Sequence, residues 1–149
     1  MSSYKFLISR ASVVGLFLGI SAIQLLSIPG QFAHMRKVGG ISLLVEIALT
    51  VVVGVWLFCG QLALIAAWKI VGEMESERFL GSKSLLWMNR LVKVMKIACV
   101  FPTILFAILV PQADDPGFFV LLLLVFTFLV ALTTMSSLIK DQLSNLAEN

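Results

Sequence analysis

Residues 42–68 read SLLVEIALTVVVGVWLFCGQLALIAAW, with Glu46 as their one charged residue. The hydrocarbon core of a bilayer is about 30 Å thick and takes about 20 apolar residues of helix to cross, so this run is long enough with residues to spare. Its apolar positions are continuous and do not alternate, which argues against a barrel strand. In hydrocarbon a chain must satisfy its own backbone hydrogen bonds, and a single segment does so only as a helix. The stretch is therefore read as a membrane-spanning helix, and the rest of the chain is read around it.

Three further apolar runs flank it. Ala11–Ile28 is read as a first span closed by Pro29-Gly30, a pair expected to stop a helix. Ile97–Val110 is read as a third, ended by Pro111. Phe118–Ile139 is read as a fourth, after the turn Ala113-Asp114-Asp115-Pro116-Gly117. The expectation is an all-α integral membrane protein, one domain over 1–149, with spans at about 11–28, 42–68, 97–110 and 118–139. Composition agrees: 60% of residues are hydrophobic and 13% charged, about half the charge of a soluble domain. Lys5 and Arg10 before an apolar run also resemble a secretory signal. This run is longer than a signal core and lacks an Ala-x-Ala end, so it is read as a retained span.

Residues 69–96, KIVGEMESERFLGSKSLLWMNRLVKVMK, carry half of the remaining charged residues. Glu73-Met74-Glu75-Ser76-Glu77-Arg78 is expected to continue the second helix beyond the membrane. Phe79-Leu80-Gly81 then turns, and Ser82 or Ser84 is placed to cap a new helix. Arg90, Lys93 and Lys96 recur every three residues, while Leu85, Met88, Val92 and Met95 fall largely on another face. Ser84–Val110 as one helix would be about 40 Å long, so helices two and three are both expected to extend into the cytoplasm.

The positive residues set the orientation. Lys5, Arg10, Lys69, Arg78, Lys83, Arg90, Lys93, Lys96 and Lys140 lie on one side, and only Arg36 and Lys37 on the other. Positive residues stay inside, which places both termini and the loop 69–96 in the cytoplasm, with Trp68 and Trp87 near the inner ends of their spans.

At this point the chain resembles a family. The second span leading into a charged loop, Phe79 and Ser82 before a leucine-rich basic helix, the outer turn Asp114-Asp115-Pro116-Gly117, and a last span running into Leu138–Leu146 are similar to the bacterial four-span proteins called domain of unknown function twenty-nine seventy-five. The resemblance implies the same topology, and an acidic C-terminal extension cut short at Asn149. It also implies a regulatory partnership, because many members are encoded beside small helix-turn-helix regulators. It implies no catalytic residue.

Several groups are candidates for chemistry. Glu46 is the one acidic residue in an apolar run, by default a proton or ion site. If the span begins at Glu46, the carboxylate instead sits in the outer headgroups, which is the preferred reading. Gln24 and Gln61, with Ser21, Thr103, Thr127, Thr133 and Thr134, are read as interhelical packing rather than a polar path. Gly15 and Gly19 form a GxxxG, expected to pack inside the bundle, with a homodimer face as the alternative. Cys59 and Cys99 are read as buried hydrophobes, His34 as a solvated loop residue, and Asp114-Asp115 as turn chemistry. Nowhere does a serine-base, HExxH or phosphate-loop spacing occur. No cofactor, metal site or direct nucleic-acid binding is expected, and the lipid bilayer is the one certain partner.

The preferred expectation is a non-enzymatic regulatory or interaction protein, a compact four-helix bundle that offers Glu73, Glu75, Glu77, Arg78, Lys83, Arg90, Lys93 and Lys96 to a helix-turn-helix regulator. A small transporter or channel subunit using Glu46, Gln61 and Gln24 is the rival. A toxin or bacteriocin immunity protein is the third possibility.

Overall fold

The computed structural model describes residues 3–76, 81–109 and 116–148, and every regular element among them is helical. Helix α1 (Ser3–Ala22) runs through a π turn (Ile23–Ser27) into α2 (Ile28–Lys37), and a short turn leads to α3 (Leu43–Glu75). Then come α4 (Ser82–Ala98), α5 (Val100–Leu109) and α6 (Pro116–Glu148). Four stretches are long and apolar enough to cross a membrane: Tyr4–Lys37, Leu43–Glu75, Ser82–Leu109 and Phe119–Leu146. The 33 residues of α3 are about 50 Å long, more than a hydrocarbon core of about 30 Å requires.

Pro29-Gly30 does not close the first helix, contrary to the reading from sequence. Proline removes a backbone donor, and the chain places that loss in the first turn after a π turn, where it is tolerated. The Ile28 N–H bonds back to the Ile23 carbonyl, five residues earlier, and Pro29 then sits at the start of α2. The helix therefore continues to Lys37 and ends at Gly39. There φ is +83°, the Gly39 N–H donates to Arg36 O at 3.0 Å, and the Gly40 N–H donates to Met35 O at 3.0 Å. This double closure needs a left-handed residue, a role that glycine fills without strain. Ser42 then caps α3, its Oγ accepting from the Val45 N–H at 3.3 Å.

Two more local expectations change. Neither Ser82 nor Ser84 caps α4: Gly81 is the N-cap with no side-chain bond, and Ser84 is fully buried with its Oγ unpartnered. Helix three is also not one uninterrupted rod. Pro102 offers no N–H to Ala98, and the helix breaks at Cys99, whose own N–H closes α4 onto Met95 O at 3.1 Å.

The helices are arranged around α3. Helices α1 and α2 lie along one side of it and α4 and α5 along another, while α6 packs on α4 and α5. No comparable contact joins α1 to α6, so the expected compact bundle is an open arrangement among the described residues. One apolar cluster, of Ile41, Leu49, Leu105 and Leu122 with Phe32, Val45, Val52 and Trp56 against it, joins α3, α5 and α6. It lies toward the end of the molecule that carries the α2–α3 turn. The other end, which carries Arg10, Trp68, α4 and Lys140, is called the basic end below.

Candidate functional site

Two of the polar groups inside the spans, Gln24 and Gln61, tie helices together, whereas Thr127 and Thr134, expected to pack between helices, are exposed and donate to Leu123 O and Val130 O of their own helix. Gln24, within the π turn, donates from Nε2 to the Gly54 carbonyl at 2.9 Å. Gln61, buried on α3, donates to Ser21 Oγ at 2.9 Å, and that hydroxyl donates in turn to Phe17 O at 2.8 Å. Both links join α1 and its π turn to α3. Bonds of this kind average about 0.6 kcal/mol in membranes, enough to select a register between two apolar helices. Two grooves run along the spans, one between α1 and α3 and one between α5 and α6. Neither is lined by Glu46, Gln24 or Gln61.

Glu46 stands in the first turn of α3 and is ion-paired with Arg36, whose Nε meets its carboxylate. The pair joins the end of α2 to the start of α3, an anion at a helix N-terminus and a cation at a helix C-terminus, both favoured by the helix dipole. A carboxylate neutralised there fits the reading of Glu46 as a group at the span's edge. The spacing of Arg36 and Glu46 across a Gly39-Gly40 turn was the available signal for this pair, and the reading from sequence missed it.

Gly15 and Gly19 are exposed, and a side-chain carbon added to either would meet nothing within 4 Å. The expected packing of this GxxxG inside the bundle is therefore corrected. Its small face points away from α3, because α1 reaches α3 through the opposite face, where Ser21 and Gln24 lie.

At the basic end the expected two-signed surface is divided. Arg10 of α1 pairs with Glu75 of α3 at 2.6 Å, and its guanidinium carbon lies 5.2 Å from the centre of the Trp68 ring. Glu75 is thus engaged within the chain, Glu73 is half-buried, and Glu77 and Arg78 lie outside the described residues. The basic part is intact. Ser84, Met88 and Val92 are buried along one face of α4, while Lys83, Arg90, Lys93 and Lys96 are exposed along the opposite face. Arg90 stacks over Trp87 at 4.6 Å, and among the described residues none of these four cations is ion-paired. On α6, Lys140 pairs with the adjacent Asp141 at 3.1 Å.

The register of α4 against α6 places these charges. Cys99 Sγ lies 3.5 Å from Thr133 Oγ1, and Ser136 Oγ lies 3.7 Å from Met95 Sδ. Running antiparallel from there, Val92 comes level with Lys140, where the apolar run of α6 ends. Lys93 and Arg90 therefore stand at the edge of the apolar zone, with Lys96 about one turn inside it. Long cationic side chains at that depth extend their heads toward the interface.

Cys59 is buried and Cys99 half-buried, both free. His34 is exposed on α2. Asp114 and Asp115 lie outside the described residues, among which no group of three or more His, Cys, Asp or Glu side chains is placed to hold a metal ion.

An all-helical chain with four candidate spans, polar ties at successive heights and one basic amphipathic helix defines a class of small multi-pass membrane protein. The chain matches the family model described as protein of unknown function (DUF2975) over residues 10–145, and it belongs to that family. No curated protein and no solved structure matches it.

Proposed function

We propose that this protein is a non-enzymatic interaction protein of the bacterial cytoplasmic membrane, with both termini and the exposed face of α4 in the cytoplasm, and that a helix-turn-helix regulator binds that face. The observation that carries this reading is the split of α4: Lys83, Arg90, Lys93 and Lys96 face outward, unpaired among the described residues, while Ser84, Met88 and Val92 fill the contact with the other helices. A helix held by its apolar face and free on its charged face presents a rigid, one-signed surface. The side of the membrane follows from the excess of Lys and Arg at this end, and the kind of partner follows from the family resemblance.

The acidic segment is a poor place to test the proposal, because Glu75 is tied to Arg10 and its loss would disturb α1 as well. Lys83→Gln with Lys93→Gln is cleaner, since both side chains are exposed and Lys69, Arg90, Lys96, Arg10 and Lys140 remain to hold the orientation. The double variant should insert normally, shown by a cysteine at Ser82 that reacts with impermeant reagents only after lysis. It should lose capture of a helix-turn-helix regulator from the family's usual gene neighbourhood. Normal insertion with undiminished capture would reject α4 as the binding face.

A further inference from the structure

The groove between α1 and α3 at the basic end has the two chemistries of a phospholipid, in the order in which a phospholipid carries them. Val14, Phe17, Leu18, Leu64, Ile65 and Trp68 line a groove of about 220 Å³ that exposes no polar surface. That exceeds the apolar cavity of about 150 Å³ that takes up benzene, and the groove is open along its length to whatever surrounds the spans. Its end is marked by Trp68, an indole of the kind that settles at headgroup level.

Directly at that mouth stand two cations. Arg10 lies over the Trp68 ring and has one polar partner among the described residues, Glu75, which meets one of its terminal nitrogens. A guanidinium carries five N–H donors; the Nε of Arg10 is buried without a hydrogen bond, but the side chain as a whole is 38% exposed, so its terminal nitrogens have donors to spare. Lys69, the residue after Trp68 and one turn beyond Ile65, is exposed and unpaired among the described residues. Lys5 lies further along α1 on the same side of the membrane boundary. Glu73 and Glu75 are the acidic groups of this end of α3, and Glu75 is held by Arg10, so the mouth retains an excess of positive charge.

We propose that this groove is a binding site for an anionic phospholipid, one acyl chain lying along Leu64, Ile65 and Phe17 and the phosphate held by Arg10 and Lys69. The arrangement has a structural consequence. The α1–α3 contact at this height has few buried side chains, and a bound lipid would fill the seam between Arg10 and the Ser21–Gln61 hydrogen bond. The proposal rests on the membrane placement of the chain and not on the role of α4, so it stands or falls separately from regulator binding.

Trp68 reports on the groove directly. With Trp56→Phe and Trp87→Phe, the full chain retains Trp68 as its one indole and is reconstituted into phosphatidylcholine vesicles. Brominated phosphatidylglycerol or brominated phosphatidylcholine is then added at equal low mole fraction, since bromine on an acyl chain quenches a neighbouring indole. The phosphatidylglycerol probe should quench Trp68 several-fold more effectively. Lys69→Gln should remove most of that preference, as should raised salt, and Leu64→Phe should lower quenching by both lipids by filling the groove. Lys69 and Leu64 are half-buried or exposed, so neither change threatens the fold as Arg10→Gln does. Equal quenching by the two lipids would show bulk lipid only and overturn the proposal. Protection of Trp68 from both would overturn it too, because a second copy or another helix would then occupy the groove.

Discussion

Helix α1 and the α4–α5 pair are both apolar enough to cross a membrane and both lie along α3, yet they are held there by opposite means. None of the most apolar window of the first span is buried, against 22% of that of the third. Polar groups fasten α1 at successive heights: Arg10 to Glu75 and Trp68, Ser21 to Gln61, Gln24 to Gly54, and through α2, Arg36 to Glu46. Shape holds the third span. Met88, Val92, Ala98, Pro102 and Leu105 are buried, and among its polar contacts to α6 are the long sulfur contacts at Cys99 and Met95. Lipid tails are as apolar as leucine, so burial between helices gains nothing from leaving water. Association then rests on close fit or on hydrogen bonds, and the two halves of this molecule use one each.

The largest effect should come from removing fit where fit is the fastening. Leu105 is 4% exposed and belongs to the apolar cluster, whereas Leu18 of α1 is 63% exposed. Leu105→Ala leaves a cavity and should cost about 2–4 kcal/mol, while Leu18→Ala only exchanges one lipid-facing side chain for a smaller one and should stay within about 0.5 kcal/mol. Reversible unfolding in mixed micelles measures both. A comparable loss at position 18 would break the contrast, because it would show that α1 is packed against something.

The contrast also explains what was legible in the sequence. Hydropathy chooses the solvent of a segment, and residues 42–68 revealed their span, like the other three, because insertion depends on each segment's own composition. Neighbour choice depends on side-chain faces of helices distant in sequence. Gly15 and Gly19 carry a motif for close approach whichever way the helix is rotated, so the motif could not say that their face points away from α3. The amphipathic split of α4 was readable, because its apolar and basic residues alternate with the helical period. Pro29 was read as the end of its helix, while Pro102 lay unremarked inside the third span. Only the three-dimensional chain shows that one is absorbed by a π turn and the other breaks a helix at Cys99. Of the polar groups, Gln24 and Gln61 were recognisable as packing residues, but their partners, a glycine carbonyl and a serine hydroxyl, were not.

A smaller effect is expected where a hydrogen bond is the fastening. Gln61→Leu should cost about 0.6 kcal/mol, the average for an interhelical bond in a membrane protein. It should also loosen α1 selectively, read as faster thiol labelling of a cysteine at Ala22 with labelling at Val94 unchanged. Thr133→Val is the matching change in the other half. Its hydroxyl already donates to Leu129 of its own helix at 2.7 Å, so its loss should leave both labelling rates unaltered. If Thr133→Val proved as disruptive as Gln61→Leu, polar ties would be holding both halves and the distinction would fail.

The smallest effect should be found at Gly15 and Gly19, and for that reason it tests the comparison most finely. Both residues are exposed with open space around them, so Gly15→Ala and Gly19→Ala remove no contact with the rest of the chain. A methyl group there replaces one lipid-facing surface with another, and alanine is the better helix former. Unfolding free energies should therefore move by less than about 0.5 kcal/mol, and the direction should be toward greater stability. The informative variant is Gly15→Ile, which closes a GxxxG face to any helix that approaches it. For a protein fastened only by its polar ties, Gly15→Ile leaves stability and the apparent mass in detergent unchanged. A fall in apparent mass from dimer to monomer would show that the outward face of α1 packs by fit after all, against a second copy. The two halves of the molecule would then differ in what they fit against and no longer in how they are held.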